Sequence, residues 1–278
     1  MSRGTVVVTG ASSGIGEATA QHLAELGFNV FAGVRKDADG ERIAGDRIRP
    51  LKLDVADAES IAAGAAQVDG PLAGLVNNAG VAVTGPIEFI PIDELRHQLE
   101  INVIGQVAVT QAFLPRIREG RGRIVNISSI GGRVALPLAG PYAASKFAIE
   151  AISDSLRREL RPWGIHVAAI EPGAVATPIW EKGTEAADEL MDGMPPEVME
   201  RYGDVIDKLR SETASFGTEG IPPREVAEAV AHALTASRPR TRYLIGRDAK
   251  VRARMAKVMP DRVMDAAIGR ALGQRKRV

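Results

Sequence analysis

Two spacings of apolar residues alternate along the chain. Short runs rich in Val, Ile and Leu fall at residues 5–9, 29–34, 48–53, 74–76, 123–127, 165–170 and 242–245. Continuous apolar runs of this length predict strands buried on both faces of a parallel sheet. Between them apolar residues recur every three or four positions, which predicts amphipathic helices. The clearest helices cover 17–26, closed by Gly27, and about 92–118, carried by Leu95, Leu99, Val103, Val107 and Phe113. A third opens at Pro141 and closes near Gly164; proline suits the first helical turn and glycine the position after the last. A modest pattern covers 61–68 and another helix 222–236. Strands alternating with helices at this rhythm predict an α/β fold, a doubly wound parallel sheet of about seven strands with helices on both faces.

The rhythm breaks after Pro178. Residues 179–220 are rich in Glu, Asp, Met and Gly and contain Pro195-Pro196. They follow a strand, and ligands of open α/β sheets bind at the carboxyl ends of strands, so this segment reads as a substrate lid. Trp180, Met191, Met194, Met199 and Phe216 are its candidate ligand-facing side chains. Two amphipathic pieces broken at Pro260 then form a basic helical extension over 247–278, with ten Lys and Arg against three Asp. The ordinary reading of that charge is a solvated helix face; contact with anionic lipid or with another subunit is the sharper one. With no repeat, low-complexity tract or linker, residues 1–278 read as a single domain.

Composition narrows the function classes. The chain is 45% hydrophobic and 25% charged over 278 residues, ordinary proportions for a soluble globular protein. Its formal net charge is zero, so no global field draws it to nucleic acid. No apolar run approaches the ~20 residues that span a bilayer, and Met1-Ser2-Arg3 leads straight into the first strand without a signal peptide. These features predict a cytoplasmic protein. Cysteine is absent and the four histidines are scattered, so no metal site is expected.

Two short motifs carry candidate chemistry. Thr9-Gly10-Ala11-Ser12-Ser13-Gly14-Ile15-Gly16 joins the first strand to the first helix, where backbone N–H groups free of β-carbons suit a pyrophosphate. Gly10-Ala11-Ser12-Ser13-Gly14 also fits the G-x-S-x-G nucleophile elbow of a serine hydrolase. That alternative is disfavoured, because His166 opens a strand, His232 lies inside a helix and a motif starting at residue 10 lacks the preceding strands of a hydrolase sheet. Tyr142 and Lys146 stand four residues apart on one helical face. A nearby ammonium favours the ionised phenol, so the pair can give and take a proton at a carbonyl or alcohol oxygen. Taken alone, it is an ordinary surface pair.

Together the pieces are more specific. The T-G-x-x-x-G-x-G loop at 9–16, Asp54-Val55, Asn77-Asn78-Ala79-Gly80, Asn102, Ser129, Tyr142 with Lys146, and Pro172-Gly173 with Thr177 follow one another in a recognisable order. In these motifs the chain resembles the short-chain dehydrogenase/reductase family over about residues 4–178. The resemblance implies a Rossmann-like fold and an oxidoreductase acting on a carbonyl or secondary alcohol. It implies Tyr142 as general acid/base, Lys146 as the group that lowers the Tyr142 pKa and binds the nicotinamide ribose, and Ser129 as the donor that polarises the carbonyl. Asn102 would hold a water in a proton relay behind Lys146. Gly10, Ser12, Ser13, Gly14 and Ile15 would surround the diphosphate and adenosine ribose. Asp54, Val55 and Asn77 would lie on the adenosine side, with Ala79 and Gly80 beside them. Pro172, Gly173, Val175 and Thr177 would lie at the nicotinamide.

Cofactor choice turns on the end of the second strand. An acid about 20 positions past the glycines grips the ribose 2′-hydroxyl of NAD, whereas arginine accommodates the 2′-phosphate of NADP. Here Val34 stands at the acid's place and Arg35 follows, which predicts NADP(H), with NAD(H) as the alternative and Arg35 as the phosphate ligand. The Met-rich segment after Pro178 fits a bulky hydrophobic small-molecule substrate. The resemblance also implies a homodimer or homotetramer. A catalytically idle cofactor sensor or scaffold of the same fold is the competing function class, and loss of Tyr142, Lys146 or Ser129 would mark it; all three are present.

Overall fold

The structure is a computed structural model and describes residues 3–274; Arg275, Lys276 and Arg277 of the basic extension lie outside the described residues. Seven strands form a parallel sheet in the order β3-β2-β1-β4-β5-β6-β7. They are β1 (Thr5–Val8), β2 (Asn29–Val34), β3 (Ile48–Lys52), β4 (Leu72–Asn77), β5 (Arg123–Ile127), β6 (His166–Pro172) and β7 (Arg242–Ile245). The chain winds outward from β1 to β3, then returns to β4 and winds the other way. A crevice therefore opens between β1 and β4 at their carboxyl ends, the place where such sheets bind ligands.

Successive side chains on a strand point to opposite faces, so the apolar runs serve two cores. Val6, Val8, Val76 and Val125 join a layer with Ala20 and Leu23 of α1 (Gly14–Glu25) and Val226 and Val230 of the late helix Pro223–Thr235. Val7, Leu75 and Ile124 join the opposite layer, packed by Phe113 and Ile117. Pro50 sits in β3, at the sheet's edge, where a strand loses least by lacking a donor.

Three features depart from the pattern of the sequence. The polar stretch after β2 forms a short helix, α2 (Asp37–Ile43), and Asp57 caps α3 (Ala58–Ala66) by accepting from Glu59 N at 2.9 Å. The single helix expected over 92–118 is α4 (Ile92–Leu99), a π-helical turn over Glu100–Ile104, and α5 (Gly105–Gly120). The extra residue of a π turn shifts the helical face, a shift that 3.6-residue counting misses. Residues 179–220 are not irregular: they form α7 (Ile179–Asp192) and α8 (Glu197–Glu219) after α6 (Gly140–Leu160). Ala176 N donates to Ile221 O and Ile221 N to Ala174 O, both at 3.0 Å, so the two ends of this excursion are clamped together. Then come α9 (Pro223–Thr235), α10 (Arg247–Val258) and α11 (Asp261–Ala271).

Phe113 is wholly buried between α5 and the sheet. Phe113→Ala should therefore lower unfolding free energy by about 3–5 kcal/mol through lost burial and the cavity left behind, read as a fall in the urea midpoint with an unchanged denaturant slope.

Candidate active site

The glycine turn forms one wall of the crevice because nothing larger fits. Gly10 holds φ +62°, and a β-carbon there would stand 2.7 Å from Ala79 Cα. Gly14 holds φ +58°, and its β-carbon would stand 2.9 Å from Thr177 Cγ2. Both angles lie in the left-handed region that favours glycine. Three of the motifs therefore meet in space: the loops after β1, β4 and β6. Thr9 Oγ1 accepts from Asn78 N at 2.9 Å and Ala79 N at 3.0 Å, and Asn78 Nδ2 donates to Thr9 O and Gly10 O. Ser13 opens α1 in an extended conformation without a side-chain cap, which leaves the helix's N-terminal N–H groups facing the crevice.

The crevice holds about 490 Å³. Along it lie Gly10, Ser12, Ser13, Gly14, Ile15, Arg35, Asp54, Val55, Ala79, Gly80, Ser129, Tyr142, Lys146, Pro172, Gly173, Val175 and Thr177. Asn78, Ile127 and Trp180 line it as well, and sequence reasoning assigned them no role there. Arg35 is exposed at the end of β2 with no salt bridge or hydrogen bond to another described residue.

Asn77, expected on the adenosine side, and Asn102, expected to hold a water behind Lys146, both have side-chain amides bonded to protein groups. Asn77 is buried beneath the site, and its Nδ2 donates to Thr110 Oγ1 at 2.8 Å and Asn126 Oδ1 at 2.9 Å. Asn126 donates in turn to Ser153 Oγ at 2.8 Å, so this amide chain ties β4, β5, α5 and α6 together. Asn102 rides on the π turn, fully buried. Its Oδ1 accepts from Val81 N at 2.9 Å, and its Nδ2 donates to Val81 O at 3.0 Å and Ser145 Oγ at 3.1 Å. The side-chain hydrogen bonds of Asn102 thus fasten the π turn to the loop after β4 and to α6.

Ser129, at the end of β5, accepts from Gly131 N through Oγ at 3.0 Å, and it also makes a side-chain hydrogen bond with Tyr142. Lys146 is 4% exposed, and its Nζ donates to Ile127 O at 2.9 Å and lies 5.5 Å from the centre of the Tyr142 ring. Burial lowers the Lys146 pKa from 10.5 to about 8, against the opposing pull of the Glu150 carboxylate. Burial also raises the Tyr142 pKa above its ordinary 10, and the Ser129 hydrogen bond works the other way. The lowering expected from Lys146 is therefore not what the structure has. Desolvation of the phenol is the largest cause, and the ammonium is turned to a backbone carbonyl.

Beyond Tyr142 lies a second cavity of about 230 Å³. Its lining is apolar, with Ile130, Val134 and Leu138 on the near side and Trp180, Met191 and Phe216 from α7 and α8. Trp180 is fixed by donating Nε1 to Val175 O at 2.7 Å and meets the edge of Phe216 with ring centroids 5.1 Å apart. Of the five side chains expected to face a ligand, Met194 and Met199 line neither cavity; Met199 is 46% exposed. Ser129 and Tyr142 line both cavities and stand at their junction.

Known proteins share this arrangement. The sequence profile described as short chain dehydrogenase matches residues 4–188. A 3-amino-tetrahydro-pyrrolizinone reductase of Xenorhabdus hominickii is 41% identical over 265 residues, covering 93% of this chain and 92% of that protein. A solved short chain dehydrogenase from Burkholderia cenocepacia in complex with NADP is 27% identical and superposes with a TM-score of 0.76, covering 96% of this chain and 98% of its own. A 3-ketoacyl-(acyl-carrier-protein) reductase from Brucella melitensis complexed with NADH is 25% identical with a TM-score of 0.70, covering 88% of this chain and 96% of its own.

The lysine's burial has a pH signature. Below about pH 8 Lys146 is charged in folded and unfolded chains alike, and the folded state carries the full desolvation cost. From about 8 to 10.5 the folded protein has released a proton that the unfolded chain still holds, so stability rises with pH there. The raised Tyr142 pKa opposes this only above its ordinary 10. Urea unfolding at stepped pH should therefore show wild type gaining on Lys146→Met between about pH 8 and pH 10; a constant difference would contradict a buried, charge-starved lysine.

Proposed function

The chain belongs to the short-chain dehydrogenase/reductase family of oxidoreductases, and from that premise we propose an NADP(H)-dependent carbonyl reductase or alcohol dehydrogenase for hydrophobic substrates. One observation supports this most: Tyr142 and Ser129 stand where the glycine-walled crevice meets the apolar cavity. A dinucleotide fits the crevice, since a β-carbon at Gly10 or Gly14 would intrude on its opposite wall and the start of α1 offers uncapped N–H groups to a diphosphate. When bound, the nicotinamide supplies or accepts the hydride. In reduction, the Tyr142 hydroxyl, protonated at neutral pH as an ordinary phenol is, gives its proton to the developing alkoxide. Ser129 Oγ already accepts from Gly131 N, which orients its own hydrogen to polarise the carbonyl. Lys146, which lines the same crevice, would hold the nicotinamide ribose hydroxyls.

The same reading takes residues 1–278 as one domain, α7 and α8 as the substrate lid, and a homodimer or homotetramer joined through α6, where Phe147 is 45% exposed. It also takes the protein as cytoplasmic; among the described residues no helix is long and apolar enough to cross a membrane.

Tyr142→Phe should lower turnover by about 10²–10⁴-fold, the usual range for a lost general acid, while NADPH binding followed by its fluorescence stays near wild type. Unchanged turnover would remove Tyr142 from the chemistry. Arg35 carries the cofactor choice: Arg35→Ala should raise the KM for NADPH about tenfold or more, the scale of a charge-assisted contact, with little change for NADH. Faster wild-type turnover with NADH than with NADPH would refute the NADP assignment.

A further inference from the structure

Most of the apolar cavity is lined by the loops after β4 and β5, the start of α6 and the α7–α8 pair, but one lining side chain comes from α10, in the basic extension. Asp248, in its first turn, accepts from Ala174 N at 3.1 Å. Ala249 and Ala253 pack on Ile130, the residue after Ser129, with Leu244 of β7 beside them. The helix is thus fixed at both the β6 loop and the Ser129 turn, and Arg252, next to Ala253, lines the cavity that Tyr142 also lines.

Three charged side chains line this cavity: Arg210, Glu212 and Arg252. Arg210 pairs with Asp188 of α7, and Glu212 lies 3.8 Å from Lys208. Arg252 is half-buried and makes no ion pair or hydrogen bond with any described residue. A guanidinium always carries its charge and has five donors and no acceptor. Set half out of water in a cavity that Ile130, Val134 and Phe216 also line, it lacks an acceptor among the described residues. A carboxylate matches its fork with two parallel hydrogen bonds.

We propose that Arg252 recognises a carboxylate on the substrate. The substrate class is then a compact carbonyl or alcohol with an apolar middle and an acidic far end. The volume of about 230 Å³ falls below the ~300–1,000 Å³ of sites for drug-sized ligands, which favours a small amphipathic molecule over an extended lipid. This rests on the reading of Tyr142 as the reacting end; Arg252 supplies the other end and fixes which way round the molecule sits.

The test pairs two ketones of equal chain length, 2-octanone and 7-oxooctanoate, with octanoate as a ligand that cannot be reduced. Wild type should show a lower KM for 7-oxooctanoate than for 2-octanone with NADPH. In Arg252→Met, which keeps length and loses charge, that preference should collapse about tenfold or more, carried by KM with kcat for the keto acid nearly kept. Octanoate binding, measured by calorimetry on the full-length protein, should weaken by a similar factor. Equal KM values for the two ketones in wild type, or a preference that survives in Arg252→Met, would overturn the proposal, as would octanoate binding that is absent or indifferent to the substitution. Arg252-dependent octanoate binding without turnover of either ketone would sustain the anion site while defeating the proposed oxidoreductase reading.

Discussion

Lys146 carries an ammonium into a place where 4% of its surface meets water, and its hydrogen bond goes to the backbone oxygen of Ile127. Withdrawing a charge to that depth is costly unless the surroundings are fixed to receive it. Here they are. Ile127 ends β5, Lys146 lies nearly two turns into α6, and Glu150 follows one turn later with Arg242 bonded to its carboxylate at 2.8 Å. Arg242 also reaches Asp154 at 3.0 Å and Glu171 at 3.3 Å, and Arg133 forks onto Glu171. Through Glu150 the lysine adjoins a charged layer lodged between α6, β6 and β7, in which Glu171 is fully buried. The position of Lys146 sets that of Tyr142, one helical turn before it.

The opposite wall of the crevice is built by exclusion. Gly10 against Ala79 and Gly14 against Thr177 bring three strand ends closer than side chains permit. Thr9 and Asn78 lock that approach with hydrogen bonds between neighbouring loops. One wall is made by a buried charge and the other by missing β-carbons, and the winding reversal between β1 and β4 places them face to face.

Much of this was legible in the sequence because it is local. The strand runs, the glycine turn and the Tyr–Lys interval are each decided within a few residues, where period and residue type speak directly. What escaped was decided between distant segments. Asn77 and Asn102 stand in motifs that point to the site, yet their amides are claimed by Thr110 and Asn126 in one case and by Val81 and Ser145 in the other. No spacing rule reveals which partner a buried amide meets. The π turn under Asn102 escaped for a related reason: one extra residue in a helical turn leaves the apolar pattern almost unchanged. Likewise the basic composition of α10 suggested a solvated face, and only packing against Ile130 brings Arg252 to a cavity.

The clamp between Val175 and Ile221 has a consequence for how such a molecule can change. Backbone bonds at 3.0 Å hold the chain's exit and re-entry points side by side. Everything from α7 through α8 therefore hangs from the sheet as a closed loop whose length and sequence the sheet does not sense. Closing a longer or shorter loop between fixed ends alters the entropy only logarithmically. Apart from the start of α7, where Trp180 also lines the crevice, the part of the apolar cavity built by α7 and α8 can thus be rewritten while the rest of the crevice keeps its shape, a separation of inventory that lets one scaffold serve many chemistries.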